Sequence, residues 1–307
     1  MKLEGIHHVT AITGDAPRNV EFYTGLLGLR MVKKTVNQDD PTVYHLFYAD
    51  ERGSAGSDIT FFEYPGVPPG RTGDGMVHRV VFRVGSEASL DFWQQRLETA
   101  GTKLERSNGS LVLSDPEGLD LELVPDTSGD EPLLAEHPEV PAEHAVRGFE
   151  GVRAYSRAPE ESTKLLEEVL GFDPARDGAW AARGSQRGGF YRFDAPPGER
   201  PLSGAGTVHH VAWASPMDEH EEWRRRVDEA GASPTPVIDR FYFRSIYFRE
   251  PSGVLFEIAT LGPGFTADEE LETLGQGLSL PPNFEHLRDR LKDVLTPLPD
   301  PRADLEA

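Results

Sequence analysis

The sequence predicts an α+β protein of four βαβββ modules, and three features of the chain support this. An alternating strand, an amphipathic helix and further strands closing on an acidic residue recur along the chain. Two copies open on consecutive histidines, His7-His8 and His209-His210, at the same place in the repeat. Glycine and proline punctuate the copies at matching points, as in Pro116-Glu117-Gly118 and Pro251-Ser252-Gly253, which read as tight turns between strands. A lone unit of about 50 residues would leave sheet edges and one apolar face uncovered, so the modules must pair, giving two half-barrel domains.

The first module opens at Gly5-Ile6-His7-His8-Val9-Thr10, passes through a helix around Val20 to Leu29 and closes at Ile59 to Glu63. The second opens at Val77 to Phe82, places a helix near Leu90 to Ala100 and ends at Asp115 to Glu122. A more degenerate third copy opens at Phe149 to Ala154; its helix runs from Ser162 to Leu170, is stopped by Gly171, and leads to a strand near Gly189 to Asp194. In the fourth, Thr207 to Trp213 is followed by a charged helix from Met217 to Ala230, ended by Gly231, and by a closing strand through Val254 to Ile258. The stretch before Arg147 is rich in Pro, Glu, Asp and His and reads as a connector. The expected organisation is an N-terminal domain of two modules over 1–130, a linker over 131–147, a C-terminal domain of two modules over 148–262, and a helical extension over 263–307. Within that extension a helix is expected from Phe284 to Val294, and a frayed end from Pro299 to Ala307.

Composition narrows the chemistry. The 307 residues carry 52 acidic against 31 basic side chains, a formal charge of -21, and no cysteine. Disulfides, thiolate metal sites, iron–sulfur clusters and a cysteine nucleophile are therefore excluded. The acidic balance, with no local basic patch, disfavours nucleic acid and anionic membranes as partners and points to small molecules. Of the basic residues only six are lysine and 25 are arginine. Many carboxylates with few lysines suit a halophilic protein working in concentrated salt; an acidic mesophilic protein from a GC-rich genome is the alternative. No run approaches the roughly 18 apolar residues of a membrane helix, and the first ten residues lack a signal-like apolar stretch, so a cytoplasmic location is expected.

Strand alternation places His8, Thr10 and Ile12 on one face of the first strand, and His210, Ala212 and Ala214 on one face of its counterpart. Small neighbours leave space beside both imidazoles. Glu257 lies in a row with Leu255 and Ala259 on the closing strand of the fourth module. If modules one and four pair, His8, His210 and Glu257 converge as two imidazoles and one carboxylate. That facial set suits Fe(II) with positions left open for substrate and dioxygen, although Mn, Ni or Zn accept similar ligands. A lone strand histidine is more often a core residue; two His-His pairs in equivalent positions change that balance. The other modules act as internal controls, since Arg79 and Gly151 stand where the imidazoles would be. Glu63 closes module one as Glu257 closes module four, and would add a fourth ligand. Such a set suits an isomerase-type Lewis-acid centre and crowds an oxygenase.

These residues and motifs carry a resemblance. The fourfold βαβββ pattern with His8, His210 and Glu257 resembles the vicinal oxygen chelate superfamily of glyoxalase/bleomycin-resistance-like domains, which includes glyoxalases and extradiol dioxygenases. More narrowly, Gly5 to Ile12, Lys34-Thr35-Val36-Asn37, Tyr44-His45-Leu46, Gly206 to Trp213, Ile246 to Glu250, Leu255 to Thr260, Pro263-Gly264-Phe265 and Leu278 to Pro281 resemble the hydroquinone-type ring-cleaving dioxygenases, over essentially the whole chain. The resemblance implies cleavage of a small aromatic ring bearing para hydroxyls, with Fe(II) and O2. It implies iron ligation by His8, His210 and Glu257, and supporting roles for His7, Thr10, His209, Arg240 and Tyr247 in binding the distal hydroxyl or steadying oxygen. An imidazole at His7 or His209 would suit general acid or base work, and Arg240 a developing oxyanion. Alternation alone puts His7 and His209 on the face opposite the ligands, so sheet curvature or a bulge is needed to bring them round. For Arg240 the plain alternative is a salt bridge with Asp239 or Glu250, and for Tyr247 core packing. Two further readings compete: a glyoxalase-like metal-dependent isomerase or lyase using Glu63, and a non-catalytic small-molecule-binding protein of the same fold, which would need no intact triad. A homo-oligomer remains compatible with either.

Overall fold

The computed structural model describes residues 1–300; the expectation of fraying near the C-terminus falls mostly on 301–307, outside the described residues. Each module forms one strand, a helical segment and three more strands. Module one gives β1 (Ile6–Thr13), β2 (Arg30–Asn37), β3 (Asp40–Ala49) and β4 (Asp58–Glu63). Module two gives β5 (Val77–Val84), β6 (Leu104–Ser107), β7 (Ser110–Ser114) and β8 (Asp120–Pro125). Module three supplies β9 (Val146–Tyr155), β10 (Asp173–Pro174), β11 (Ala179–Arg183) and β12 (Gly188–Asp194). Module four supplies β13 (Val208–Ser215), β14 (Ile238–Asp239), β15 (Arg244–Arg249) and β16 (Leu255–Thr260).

Two eight-stranded sheets result, in the orders β14-β15-β16-β13-β1-β4-β3-β2 and β10-β11-β12-β9-β5-β8-β7-β6. Module one therefore pairs with module four, and two with three, so the segments 1–130 and 148–262 each give one module to each sheet. The opening strands explain the arrangement. All eight residues of β1 are buried, and a strand covered on both faces belongs in the middle of a sheet. It finds a parallel neighbour in β4 and an antiparallel one in β13. The segment between the halves is no free linker: Ser89 Oγ and Trp93 Nε1 donate to the carbonyls of Glu143 and His144, fixing it against the module-two helix.

The helices follow the apolar spacing. In α1 (Glu87–Thr99), Leu90, Trp93 and Leu97 are buried at helical intervals, and Ser86 with Ser89 forms a capping box. In α2 (His220–Glu229) the buried stripe is His220, Trp223 and Val227. This helix starts three residues later than predicted because Pro216 opens a turn. The module-three segment is helical over Pro159–Ser162 and Leu165–Val169, and Gly171 ends it at φ +71°. The helix expected from Phe284 to Val294 shortens to Glu285–Leu287 and Arg288–Leu291. Only Leu291 and Leu295 are buried there, too little apolar surface to hold a longer helix. No helix among the described residues is long and apolar enough to cross a membrane.

Most buried side chains form one cluster around the helices. A second, smaller cluster of Val32, Phe47, Ala49, Ala212, Tyr242, Phe243, Ala259, Phe265 and Leu274 lies where the C-terminal extension packs near the candidate site. Modules one and two also meet at Asp115, whose carboxylate accepts the N–H groups of Glu117 and Leu119 and the Tyr23 hydroxyl. Burial drives this carboxyl up to about 6 in spite of those hydrogen bonds. A raised folded-state pKa favours folding below the ordinary carboxylate pKa, and the contribution is lost as pH rises through 6. Asp115→Asn is therefore expected to gain roughly 2–3 kcal/mol relative to wild type between pH 4 and pH 7. Urea melts at both pH values check this; parallel stability profiles would contradict it.

Candidate metal centre

The three predicted ligands meet. β13 and β16 run parallel with Ala212 opposite Glu257, and β1 lies antiparallel to β13 with Thr10 opposite His210. His8, His210 and Glu257 thereby point to one side of three adjacent strands, all buried, with ligand atoms within 4.8 Å of one another. Glu257 Oε2 lies 2.9 Å from His210 Nε2 and 3.3 Å from His8 Nε2, and the two Nε2 atoms are 3.2 Å apart. Even so, Oε2 is a buried atom without a hydrogen bond. Three electron-pair donors aimed at one point inside the protein fit a divalent cation. Burial would raise the Glu257 carboxyl, but the adjacent imidazoles of His8 and His210 hold it well below the usual range. Burial likewise lowers His210, favouring the neutral imidazole that a metal requires. Ser245 Oγ donates to Glu257 Oε1 at 2.5 Å and fixes the carboxylate plane.

The bulge that alternation required is present twice. Pairing steps from Ile6 to His8 on β1 while β13 advances one residue, and from Thr10 to Ala11 while β13 skips from His210 to Val208. His7 and His209 are the extra residues. Each reaches back to the ligand beside it: His7 Nδ1 is 2.9 Å from His8 Nδ1, and His209 Nδ1 is 2.8 Å from His210 Nδ1. His7 Nε2–H donates to the Thr260 carbonyl at 3.1 Å, so His7 Nδ1 accepts from His8 Nδ1–H. The bare Nε2 of His8 is then left facing Glu257. This assignment follows from satisfying the hydrogen-bond chain. Both ring nitrogens of His7 are engaged, and burial lowers its pKa to about 3. That suits an orienting residue better than the acid–base role the resemblance implied. His209 is lowered by burial to about 4 and remains exposed along one edge.

Glu63 corrects the sequence reading. On β4, Thr60 and not Glu63 occupies the position of Glu257: Thr10 is opposite Thr60, as Ala212 is opposite Glu257. Glu63 is opposite Thr13, on the other face of the sheet from His8, and its carboxyl bonds the Ala16 backbone and Thr296. It lies outside the His8–His210–Glu257 group. The sequence aligned the terminal acids of two strands, whereas strand pairing sets them three residues apart. In the second sheet, Glu122 holds the Glu257 position but is bound by Arg79 and Arg153. No second group of metal-binding geometry occurs among the described residues.

A cavity walled largely by aromatic side chains opens on His8 and His210. Tyr247, Phe243 and Tyr242 line one side, and His45, Phe47 and Phe62 the other. Arg240 stands at its mouth, but its partner is neither Asp239 nor Glu250. Both terminal nitrogens bind Asp39 on the β2–β3 turn, at 3.2 and 3.0 Å, and its guanidinium lies 5.4 Å from the Tyr247 ring centre. Tyr247 is opposite Glu257 in the ladder, and burial raises its phenol above the ordinary value. Thr10 Oγ1 is 2.7 Å from Thr60 Oγ1, so its hydroxyl is tied to the neighbouring strand. Ser245, Thr60 and Asp39 were missed in the sequence because nothing in their local pattern distinguishes them from ordinary strand or turn residues.

This paired-module fold with a two-histidine, one-carboxylate centre can be set beside known proteins. A family model for the Glyoxalase/Bleomycin resistance protein/Dioxygenase superfamily matches residues 5–123 and 148–258. The chain belongs to this superfamily. Within it, the chain is 41% identical to "Putative ring-cleaving dioxygenase MhqO" of Bacillus subtilis (strain 168), over 96% of this chain and 97% of the relative. It is 33% identical to the chlorohydroquinone/hydroquinone 1,2-dioxygenase of Sphingobium indicum, over 94% and 95% of the two chains. The crystal structure of a "putative dioxygenase" from Bacillus subtilis superposes with a TM-score of 0.90 at 38% identity, covering 97% of this chain and 98% of that one. Glyoxalase I from Zea mays, at 17% identity and a TM-score of 0.57 over 89% and 97% of the chains, shares the fold.

Proposed function

We propose that the protein is an Fe(II)-dependent ring-cleaving dioxygenase acting on a hydroquinone-like aromatic, inserting both atoms of O2 to give a ring-opened acid. The observation that carries this reading is the buried His8–His210–Glu257 group opening onto an aromatic-walled cavity. The likeness to ring-cleaving dioxygenases over nearly the whole chain supports it. With three protein ligands on one side, a bound Fe(II) supplies Lewis acidity toward a phenolic oxygen and a place to activate dioxygen. The protein's own contribution is to hold the ligands and exclude water. His7 and His209 fix the ring orientation of His8 and His210 through their Nδ1 atoms, and Ser245 fixes Glu257. Phe243, with its ring centre 5.2 Å from that of His8, keeps this wall dry. Arg240, held charged by Tyr247 and Asp39, places a cation beside the developing negative charge of the substrate. The isomerase reading depended on Glu63 as a fourth ligand, and Glu63 lies elsewhere.

Protein reconstituted anaerobically with Fe(II) is expected to consume one O2 per hydroquinone, followed by oxygen electrode and by loss of the aromatic absorbance. Turnover that needs no oxygen, or none with iron and any dihydroxybenzene, would refute the proposal.

A further inference from the structure

The cavity lining includes a polar side chain, His45, with a ring nitrogen that no hydrogen bond occupies and that the metal centre does not use. His45 on β3 lines the cavity, sandwiched between Phe47 and Phe62 with ring centres 3.9 and 4.4 Å away. Its Nε2 is 2.8 Å from Thr60 Oγ1, which is in turn 2.7 Å from Thr10 Oγ1. That chain fixes the imidazole plane. Nδ1 has no hydrogen-bond partner among the described residues, and it is not among the buried unsatisfied atoms. On the opposite flank Arg240 is held by Asp39. The metal ligands come from β1, β13 and β16 between these flanks, so a ring bound at the centre through one oxygen reaches toward a wall with its far end.

We infer that His45 is the group that binds the second hydroxyl of the substrate, through Nδ1, and so selects para-dihydroxylated rings over monophenols. The inference rests on the function proposed above and deepens it. Either neutral tautomer would serve, because a hydroxyl both donates and accepts, whereas a methyl group in its place does neither. Burial and the nearby imidazoles of His8 and His210 keep His45 in the neutral form. A site built to hydrogen-bond a hydroxyl discriminates against the analogue lacking it, because its own polar atom is then left unpaired.

The test is anaerobic titration calorimetry of hydroquinone and of 4-methylphenol against Fe(II)-loaded wild type, His45→Phe and His45→Gln. The wild type is expected to bind hydroquinone at least about tenfold more tightly than 4-methylphenol. In His45→Phe, which keeps the aromatic packing, this ratio should fall close to one, with 4-methylphenol affinity changed less than about twofold. His45→Gln, able to bond Thr60 but lacking Nδ1, should lose the same preference. No preference in the wild type, an unchanged ratio in both variants, or equal weakening of both ligands overturns the assignment. The dioxygenase reading fails separately: a wild type that discriminates in binding yet consumes no oxygen keeps His45 in its role and removes the reaction.

Discussion

His210→Ala is expected to abolish metal retention, with affinity at least about 100-fold weaker than wild type and oxygen uptake reduced to background. The size of the effect follows from the count of donors. Among the described residues His8, His210 and Glu257 are the members of the cluster, and Glu63, the fourth ligand the sequence suggested, faces the other side of the sheet. Metal analysis after dialysis measures the first effect and an oxygen electrode the second. Metal should also stabilise the wild type, because a ligand that binds only the folded state adds about 2.7 kcal/mol at 100 times its dissociation constant. A chelator should therefore lower the melting temperature of the wild type and leave His210→Ala unmoved. Glu257→Gln separates charge from shape: Gln keeps the hydrogen bond with Ser245 while placing an amide where Oε2 was, and should lose metal yet remain folded. A His210→Ala protein that retains stoichiometric metal and turnover would show that the centre lies elsewhere.

Lys33→Met is expected to destabilise the protein by about 3 kcal/mol and to raise KM for the aromatic substrate, with metal content unchanged. Lys33 lies on β2 with no exposed surface. Its ammonium donates to Asp268 Oδ1 at 2.8 Å, to the Phe265 carbonyl at 3.1 Å, and to Glu269, and sits 4.8 Å from the Tyr242 ring centre. Methionine preserves the stem and deletes the charge, leaving two adjacent carboxylates facing each other. Those carboxylates are 19% and 14% exposed, so partial hydration keeps the cost at the lower end of the range for a broken buried pair. The consequence for function runs through Tyr242, whose hydroxyl donates to Asp268 and whose ring lines the cavity. Loss of the clamp should loosen the extension over residues 265–279, visible as faster proteolysis there. Unchanged melting and unchanged KM together would contradict the clamp.

Much of the centre was legible in the sequence. Paired histidines at equivalent positions of a repeat, with small residues beside them, pointed to His8 and His210, and the internal comparison with Arg79 and Gly151 argued against a twin site. Glu257 could be read because it follows its own turn and strand closely. Glu63 could not be, because its match with Glu257 depended on counting residues to the end of a strand, and pairing does not respect that count. His7 and His209 were recognisable as special but placed on the wrong face, since one inserted residue at each bulge reverses alternation. The Arg240 partner came from Asp39, 201 positions away along the chain, and no local pattern could reveal it.

The sequence by itself determined the modules, their turns and the identity of three donors, because these depend on periodicity, on glycine geometry and on residue chemistry within short windows. Tertiary structure alone decided which modules share a sheet, that Thr60 stands where a fourth carboxylate was expected, and that His45 faces the cavity with a nitrogen unspent. Those outcomes depend on strand register and bulges, which are fixed by burial across the whole sheet: β1 is buried on both faces, and only pairing β1 with β13 at its centre brings the two histidine pairs together.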